Sequence, residues 1–446
     1  MQHHPGKRTA IAVLVSGGET IGVASFIAAL SYEARRAGFR LLGIPYGFAS
    51  FNTEWLAPRV TTLNPDALHV EDAGTALPII RYTPTDQELR AGVKALVRRG
   101  VGLVVVIGGN GSAVKAARLA RCAANKLRVL HVPKTHDDDV ALPEGAHSIG
   151  FKSVRHYVSE EIVAAHHRFR SRPHNFALMQ VRGRDSGHLT LDSYRLTNRS
   201  VLAFFPRMWK AGVPLGRLLD VLGLAVLWRY AGHGNGGSKP YGVFLVSEGM
   251  ADIIERQPQA SGGPAPDYVN YGVTRVLAEG LTDWLSEHTR LTELKPGGVQ
   301  TRVHDLGDVC ATVLGKRPVD SDIELAGDLA RFAIRLWESG GNWADLDYQA
   351  ATLYRIGETL GLVELDSLVL PDGGCRTRYV DLQGERYRED VRRMPLPRRR
   401  LLEDTSLLES LSRVTGRPTR ATPFLGAGPV DPKLAPDDVA AIIERC

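Results

Sequence analysis

Three consecutive carboxylates, Asp137, Asp138 and Asp139, close the run Pro133-Lys134-Thr135-His136-Asp137-Asp138-Asp139. Adjacent carboxylates repel one another and make poor helix interior, so the run calls for a cation beside it. A metal-bound phosphate is the natural candidate. The run follows Val129-Leu130-His131-Val132, which reads as a buried strand, and open α/β sheets place ligands at the carboxyl ends of strands. Taken alone, an aspartate run has the alternative of a solvated loop. Two glycine-rich turns precede it, Ser16-Gly17-Gly18 and Gly108-Gly109-Asn110-Gly111-Ser112. Each ends an apolar run and leads into a helical pattern, so backbone N–H groups and a helix dipole can meet an anion there. The second turn is the stronger signal, and its spacing is neither a P-loop nor a dinucleotide-binding fingerprint.

These residues need strands and helices to position them. Residues 9–15 and 101–107 read as buried parallel strands and 41–45 as another, with a loop at Tyr46-Gly47-Phe48. Helical spacing of apolar residues runs over 22–37, 86–99 (Thr83 or Thr85 near its cap), 113–124, 211–227 and 273–285. Residues 232–237 form a glycine-rich turn and 257–266 a Pro/Gly-rich surface loop. Residues 392–400 form a basic linker, and from Glu403 the tail holds one or two short helices before Pro/Gly-rich sequence. The chain of 446 residues is long enough for two or more domains, and 43% hydrophobic with 23% charged residues is ordinary for a globular protein. A net charge of +6 and a pI near 9.1 suit an anionic substrate, while the scattered arginines do not argue nucleic acid. Four widely spaced cysteines in no metal pattern, and no signal peptide or membrane-length apolar run, imply a cytoplasmic protein with no membrane partner.

Taken together the motifs resemble the phosphofructokinase family, which carries S-G-G-D, G-G-D-G-S and P-K-T-I-D-N-D at these places. Ile149-Gly150-Phe151 resembles its I-G-F, and Val181-Arg182-Gly183-Arg184 with Ser186-Gly187 its V-M-G-R-x-x-G. Val246-Ser247-Glu248-Gly249 resembles its S-E-G, and Ala311-Thr312-Val313-Leu314-Gly315 its A-T-V-L-G. The match keeps its order from about Ile11 to Leu336. The resemblance implies an α/β fold of two Rossmann-like three-layer lobes with a cleft between them. Residues 1–150 would bind the donor and 151–340 the acceptor, with helices returning between lobes, and 341–446 would be a helical or irregular extension. It implies phosphoryl transfer from ATP or pyrophosphate to a sugar-phosphate hydroxyl, assisted by Mg2+, in a homodimer or homotetramer. Asp137 falls on the catalytic base, Thr135 and Asp139 on neighbours that position acceptor and metal, and Arg184 on the arginine of M-G-R. Gly17, Arg81, Gly109, Asn110, Gly111, Ser112 and Lys134 fall on the donor side, and Arg182, Arg207 and Glu248 on the acceptor side. Such a set is coherent for in-line transfer, which needs a positioned base, cations around the transferring oxygens and turns that hold the donor.

The departures from the family pattern carry expectations of their own. Asn110 stands where the family has a magnesium-linked aspartate, and Asp138 where it has asparagine. Asp138 is therefore expected to restore the missing charge as a second metal residue beside Asn110, with decay of the metal site as the alternative. Asn175 and Cys310 replace acceptor arginines, and Arg207 replaces a sugar-binding glutamate. Arg182 replaces a methionine. The resulting change of charge implies an anionic, sugar-like acceptor gripped differently from fructose 6-phosphate. An ordinary 6-phosphofructokinase and a catalytically silent regulatory subunit are the alternatives. Gly111 leans towards ATP, while Lys134 occurs in pyrophosphate users and in some ATP users.

Overall fold

The computed structural model describes residues 9–52, 60–197, 202–209, 211–231, 238–255, 272–293, 299–339 and 350–394. The turn at 232–237, the loop at 257–266, residues 395–400 of the basic linker and the tail from Glu403 lie outside these. The described chain forms two compact units, one from residues up to Val154 plus Val313–Arg378, the other from Arg155–Thr312 plus residues from Tyr379 onward.

In the first unit the near-continuous Val, Ile and Leu runs form strands buried on both faces, as parallel strands covered by helices must be. β1 (Ala10–Val15) and β4 (Val101–Gly108) are buried at every position. They sit at the centre of a seven-stranded sheet with β2 (Arg40–Ile44), β3 (Thr61–Thr62), β5 (Arg128–Pro133), β10 (Ala350–Ile356) and β11 (Thr359–Glu364), in the order β11-β10-β5-β4-β1-β2-β3. β2, β1, β4, β5 and β10 are parallel, and β3 and β11 close the edges antiparallel. Alternate side chains feed two cores. Ile11, Val13, Leu103 and Val105 meet the packed helices Val23–Arg36 and Asp320–Glu338, and Ala12, Leu14, Val104 and Val106 meet Asp86–Arg98 and Asn110–Ala123. Each Val, Leu or Ile so buried contributes about 1.5–3 kcal/mol, which makes the sheet the rigid frame for the loops at its ends.

The helix at 86–98 begins with a capping box, Thr85 and Glu88 each bonding the other's backbone N–H. The helix expected over 113–124 spans Asn110–Ala123, so Asn110, Gly111 and Ser112 are its first turn. These weak helix formers are tolerated there because first-turn N–H groups have no intrahelical partner. The reading of 341–446 as a helical or irregular extension needs correction. Among its described residues, β10 and β11 are strands of the first sheet, joined by a two-residue loop with Gly357 at φ 55°.

The second unit holds a four-stranded sheet, β6 (Asn175–Val181), β7 (Leu202–Phe204), β8 (Tyr241–Ser247) and β9 (Arg302–Asp308), in the parallel order β7-β8-β6-β9. The helices Leu215–Ala231 and Val273–His288 pack together. No helix among the described residues is long and apolar enough to cross a membrane.

Candidate active site

Three parallel strands of the first unit, β1, β4 and β5, end side by side. Ser16 donates its N–H to the Ile107 carbonyl at 2.8 Å, and Lys134 to that of Gly108 at 2.9 Å. The two glycine turns therefore begin at neighbouring strand ends. Gly108 must lack a side chain, since a Cβ would lie 2.3 Å from Ser112 Oγ and 2.9 Å from the Ser16 carbonyl oxygen. Gly17 adopts φ 92°, the left-handed region that favours glycine. Added Cβ atoms on Gly17 and Gly18 would sit 3.6 Å from Ser112 Oγ, 3.8 Å from Lys134 Nζ and 3.4 Å from an Arg81 guanidinium nitrogen, so these side chains gather at one place. Gly109 lies against Thr135, and the position of a Gly111 Cβ has nothing within 4 Å.

Lys134 is 3% exposed and its ammonium donates to the Gly18 carbonyl. Burial pushes its pKa down to about 8; Asp137 nearby pulls it up, and Arg81 pushes it further down. Beneath it, His131 is wholly buried in β5. Its Nε2 lies 2.8 Å from the Gly108 carbonyl oxygen and its Nδ1 3.1 Å from Thr352 Oγ1. A carbonyl only accepts, so Nε2 carries the proton and Nδ1 accepts from the threonine. Burial lowers the imidazole pKa to about 4, which keeps it neutral under the glycine turn.

The carboxylate run is folded so that its three members do different things. Thr135 Oγ1 accepts the Asp137 N–H at 3.0 Å, and His136 Nε2 lies 3.3 Å from Asp137 Oδ1. Asp138 is in the left-handed region at φ 53° and is 1% exposed. Its Oδ1 accepts from the Ser148 N–H at 2.9 Å, and its Oδ2 meets His147 Nδ1 at 2.7 Å and an Arg378 guanidinium nitrogen at 2.6 Å. Burial alone would raise its pKa, but the His147 hydrogen bond, the Arg378 charge and the Ser148 N–H together hold it below the usual carboxylate range. Asn110 Nδ2 donates to Asp139 Oδ2 at 2.8 Å, and Asn110 Oδ1 accepts from the Cys375 thiol at 3.6 Å. The expectation that Asp138 restores charge beside Asn110 is thereby corrected. The carboxylate at Asn110 is that of Asp139, and both Asp138 oxygens are committed to a buried ion pair and its hydrogen bonds.

Magnesium, as the resemblance implies, can be tested against this donor set. Asp137 and Asp139 are hard oxygen donors, while among the described residues no group of three His, Cys, Asp or Glu side chains could hold an ion alone. The residues fit an ion that keeps water and shares its phosphoryl donor's oxygens, the usual habit of Mg2+.

In the second unit the ends of β6, β8 and β9 gather Arg182, Arg184 and Glu248, and Arg207 follows β7. Glu248 donates its N–H to the Val181 carbonyl at 2.9 Å, and its Oε1 accepts the Arg184 N–H at 3.3 Å. Arg184 itself is at φ 49°, its carbonyl taking the Ser247 hydroxyl, and Gly249 is required because a Cβ would lie 2.3 Å from that carbonyl oxygen. Arg182 Nε donates to Asp308 Oδ2 at 2.8 Å, and its backbone N–H to Cys310 Sγ at 3.3 Å. The gain of positive charge expected from Arg182 is thus offset by Asp308. Arg207 stacks over the Tyr379 ring, 4.3 Å from its centroid, and its buried Nε has no hydrogen-bond partner among the described residues. Asn175 lies at the other end of β6, donating to the Arg172 and Pro173 carbonyls and accepting from His304. The sequence reading missed His131, Asp308, Arg378 and Tyr379. Only Arg378 and Tyr379 had a local signal, a polar and aromatic pair following a turn at Asp372-Gly373-Gly374.

The phosphofructokinase family model matches residues 10–336. The chain is 27% identical over 405 residues to a pyrophosphate–fructose 6-phosphate 1-phosphotransferase of Thermotoga maritima, covering 89% of this chain and 93% of that one. It is 28% identical over 253 residues to an ATP-dependent 6-phosphofructokinase of Lactobacillus acidophilus, covering 55% of this chain and 71% of that one. Among solved structures, a pyrophosphate-dependent phosphofructokinase of Marinobacter aquaeolei has a TM-score of 0.59 at 15% identity, over 87% of this chain and 92% of that one. The Pichia pastoris phosphofructokinase in the T-state has a TM-score of 0.63 at 17% identity, over 87% of this chain and 41% of the other. These two support the fold alone.

Proposed function

The chain belongs to the phosphofructokinase family and is a phosphotransferase with a hydroxyl acceptor, and we propose that it moves a phosphoryl group from pyrophosphate or ATP to an anionic, sugar-like acceptor. The observation that carries this reading is the buried ammonium of Lys134, held at the first glycine turn with Arg81 and Ser112 and close enough to Asp137 to feel its charge. Holding a cation out of water is costly unless an anion answers it. Phosphate oxygens at Gly17, Gly109 and Gly111, at the head of the helix Asn110–Ala123, would do so.

In this reading Asp137 takes the proton from the attacking hydroxyl, and Thr135 holds its backbone for the task. Lys134, Arg81 and Ser112 bind donor oxygens, and Arg184 meets the charge that spreads over the transferring group. Magnesium, when bound, would be held by Asp139 and would neutralise charge on the donor. Asn110, whose amide bonds Asp139, would orient that carboxylate. Arg207 and Glu248 would bind the acceptor, the unsatisfied Nε of Arg207 being a donor that an anion could fill. Arg182, braced by Asp308, would shape that site. The names of the relatives favour fructose 6-phosphate as acceptor; the exchange of charged residues at Asn175, Cys310 and Arg207 favours another sugar phosphate or acidic sugar. The open space at Gly111 admits a nucleotide, and the relatives matched over about nine-tenths of the chain are named for pyrophosphate. A cytoplasmic homodimer or homotetramer completes the proposal.

The test is turnover with Mg2+ for both donors against fructose 6-phosphate and a panel of phosphorylated and acidic sugars, with Asp137→Ala alongside. Transfer that vanishes in Asp137→Ala supports the reading. Turnover of fructose 6-phosphate alone would overturn the altered acceptor, and silence with every pair would overturn the activity. Light scattering that gave a monomer would overturn the assembly.

A further inference from the structure

The segment 365–378 lies more than 220 residues beyond the carboxylate run, yet Thr377 and Arg378 are built against the loop and Cys375 against Asn110 beside it. Leu365 and Leu368 anchor it, each at most 2% exposed in the first unit's core. Arg376 donates its N–H to the Leu368 carbonyl at 2.7 Å, which folds the segment back, and Thr377 forms an antiparallel bridge with Val140. Arg378 then engages the loop with backbone and side chain together. Its N–H donates to the Asp139 carbonyl at 2.8 Å. Its guanidinium donates to the Asp138 carbonyl at 3.1 and 3.2 Å, to the Ala146 carbonyl at 2.8 Å, and pairs with Asp138 Oδ2 at 2.6 Å. Two residues before Thr377, the Cys375 thiol meets Asn110, whose amide in turn bonds Asp139.

The physical consequence follows from the backbone at Asp138. Its left-handed φ of 53° turns the chain at the middle carboxylate, and this conformation sets the directions of the residues on either side. Arg378 grips both the carbonyl and the carboxylate of that residue, through a rigid planar fork that a lysine cannot reproduce. We propose that Arg378 is a positioning residue for phosphoryl transfer, acting through Asp138 to fix the carboxylate loop that presents Asp137 and Asp139. The middle aspartate is then an anchor, and the strap that holds it is part of the active site's frame. The inference rests on the phosphotransferase reading for its kinetic consequence and on the loop geometry alone for its structural one.

Three variants separate positioning from mere stability. Arg378→Met leaves a buried carboxylate without its guanidinium partner and should lower the thermal midpoint. Adding Asp138→Asn removes that charge, keeps a residue tolerant of the left-handed region, and should recover most of the midpoint. In this double variant kcat should still be down about 100-fold with donor KM within about threefold, since a misplaced base harms the chemical step more than binding. Arg378→Lys should fall between it and the wild type. Amide hydrogen exchange over 135–140 should be about tenfold faster in the double variant and unchanged over β10 and β11. If kcat recovers with the midpoint, or exchange over 135–140 stays as in wild type, Arg378 is only a structural ion-pair partner. If the wild type transfers no phosphoryl group, the activity proposed above fails, and the exchange result still decides the positioning of the loop. If Arg378→Met does not fold, the double variant and Arg378→Lys carry the test.

Discussion

Replacing Lys134 with methionine should stabilise the protein at pH 7 while removing donor binding, and the gain should shrink as the pH rises. The ammonium is 3% exposed, and its pKa lies at about 8, well below the ordinary lysine value of 10.5. The unfolded chain therefore holds the proton more tightly than the folded one between these two values, so wild-type stability rises with pH across that window. With these values the protonation penalty is about 3 kcal/mol at pH 7 and about 1 kcal/mol at pH 9.5. Methionine keeps the length, has no charge, and loses the hydrogen bond to the Gly18 carbonyl at either pH, so that loss cancels in the comparison. The advantage of the variant over wild type should thus be about 2 kcal/mol larger at pH 7 than at pH 9.5. At about 2–4 °C per kcal/mol for a unit of this size, calorimetry should show a differential of about 4–8 °C in the midpoints. Donor turnover, assayed in parallel, should fall about 100-fold or more, as expected when a charge that answers phosphate is removed. A midpoint difference that is the same at both pH values would refute the buried-cation argument, and an unchanged donor KM would refute the phosphate role.

Further outcomes follow from other sites. Asp137→Asn should reduce transfer by about 10²–10⁴-fold in initial-rate assays, since the proton acceptor is lost; a loss under tenfold would remove Asp137 as base. Asp322 is wholly buried and accepts from Ser153 N–H at 2.8 Å and Ser153 Oγ at 2.6 Å, and burial raises its pKa. Wild type should therefore lose stability relative to Asp322→Asn as the pH rises through the acid range, while Asp322→Ala, which strands the Ser153 donors, should cost about 1–3 kcal/mol by denaturant titration. Tyr379→Leu removes the ring beneath Arg207 and should raise acceptor KM about threefold to tenfold with kcat within about twofold, which initial-rate kinetics would check.

The parts of this chain that could be read in advance are those whose causes are local. β1 and β4 announce themselves as short Val/Ile/Leu runs ending in glycines, and the helix at 86–98 by its capping residues. The gathering of Gly17, Ser112, Lys134 and Arg81 was expected through the family likeness, and the parallel register of β1, β4 and β5 is what brings them together. The roles within Asp137-Asp138-Asp139 were not legible, because what distinguishes the middle carboxylate is an arginine 240 residues away. Arg182 misled for the same reason, since its charge is answered by Asp308, 126 residues on. The hairpin β10–β11 has a local cue in Gly357, but its place in the first sheet depends on pairing with β5, more than 200 residues earlier.

Because the first sheet takes β10 and β11 from residue 350 onward, its assembly cannot be completed in the order of synthesis. A ribosome releases β1, β2, β4 and β5 early, with the exposed edge of β5 waiting for β10 while more than 200 further residues are made. An unpaired strand edge of Val, Leu and His is an aggregation hazard in that interval, and pairings of such high sequence separation form slowly. Asp138 spends the same interval without Arg378. The nascent protein is therefore a natural client for chaperones until its C-terminal third emerges, and the two glycine turns stand on it well before the carboxylate loop has its final shape.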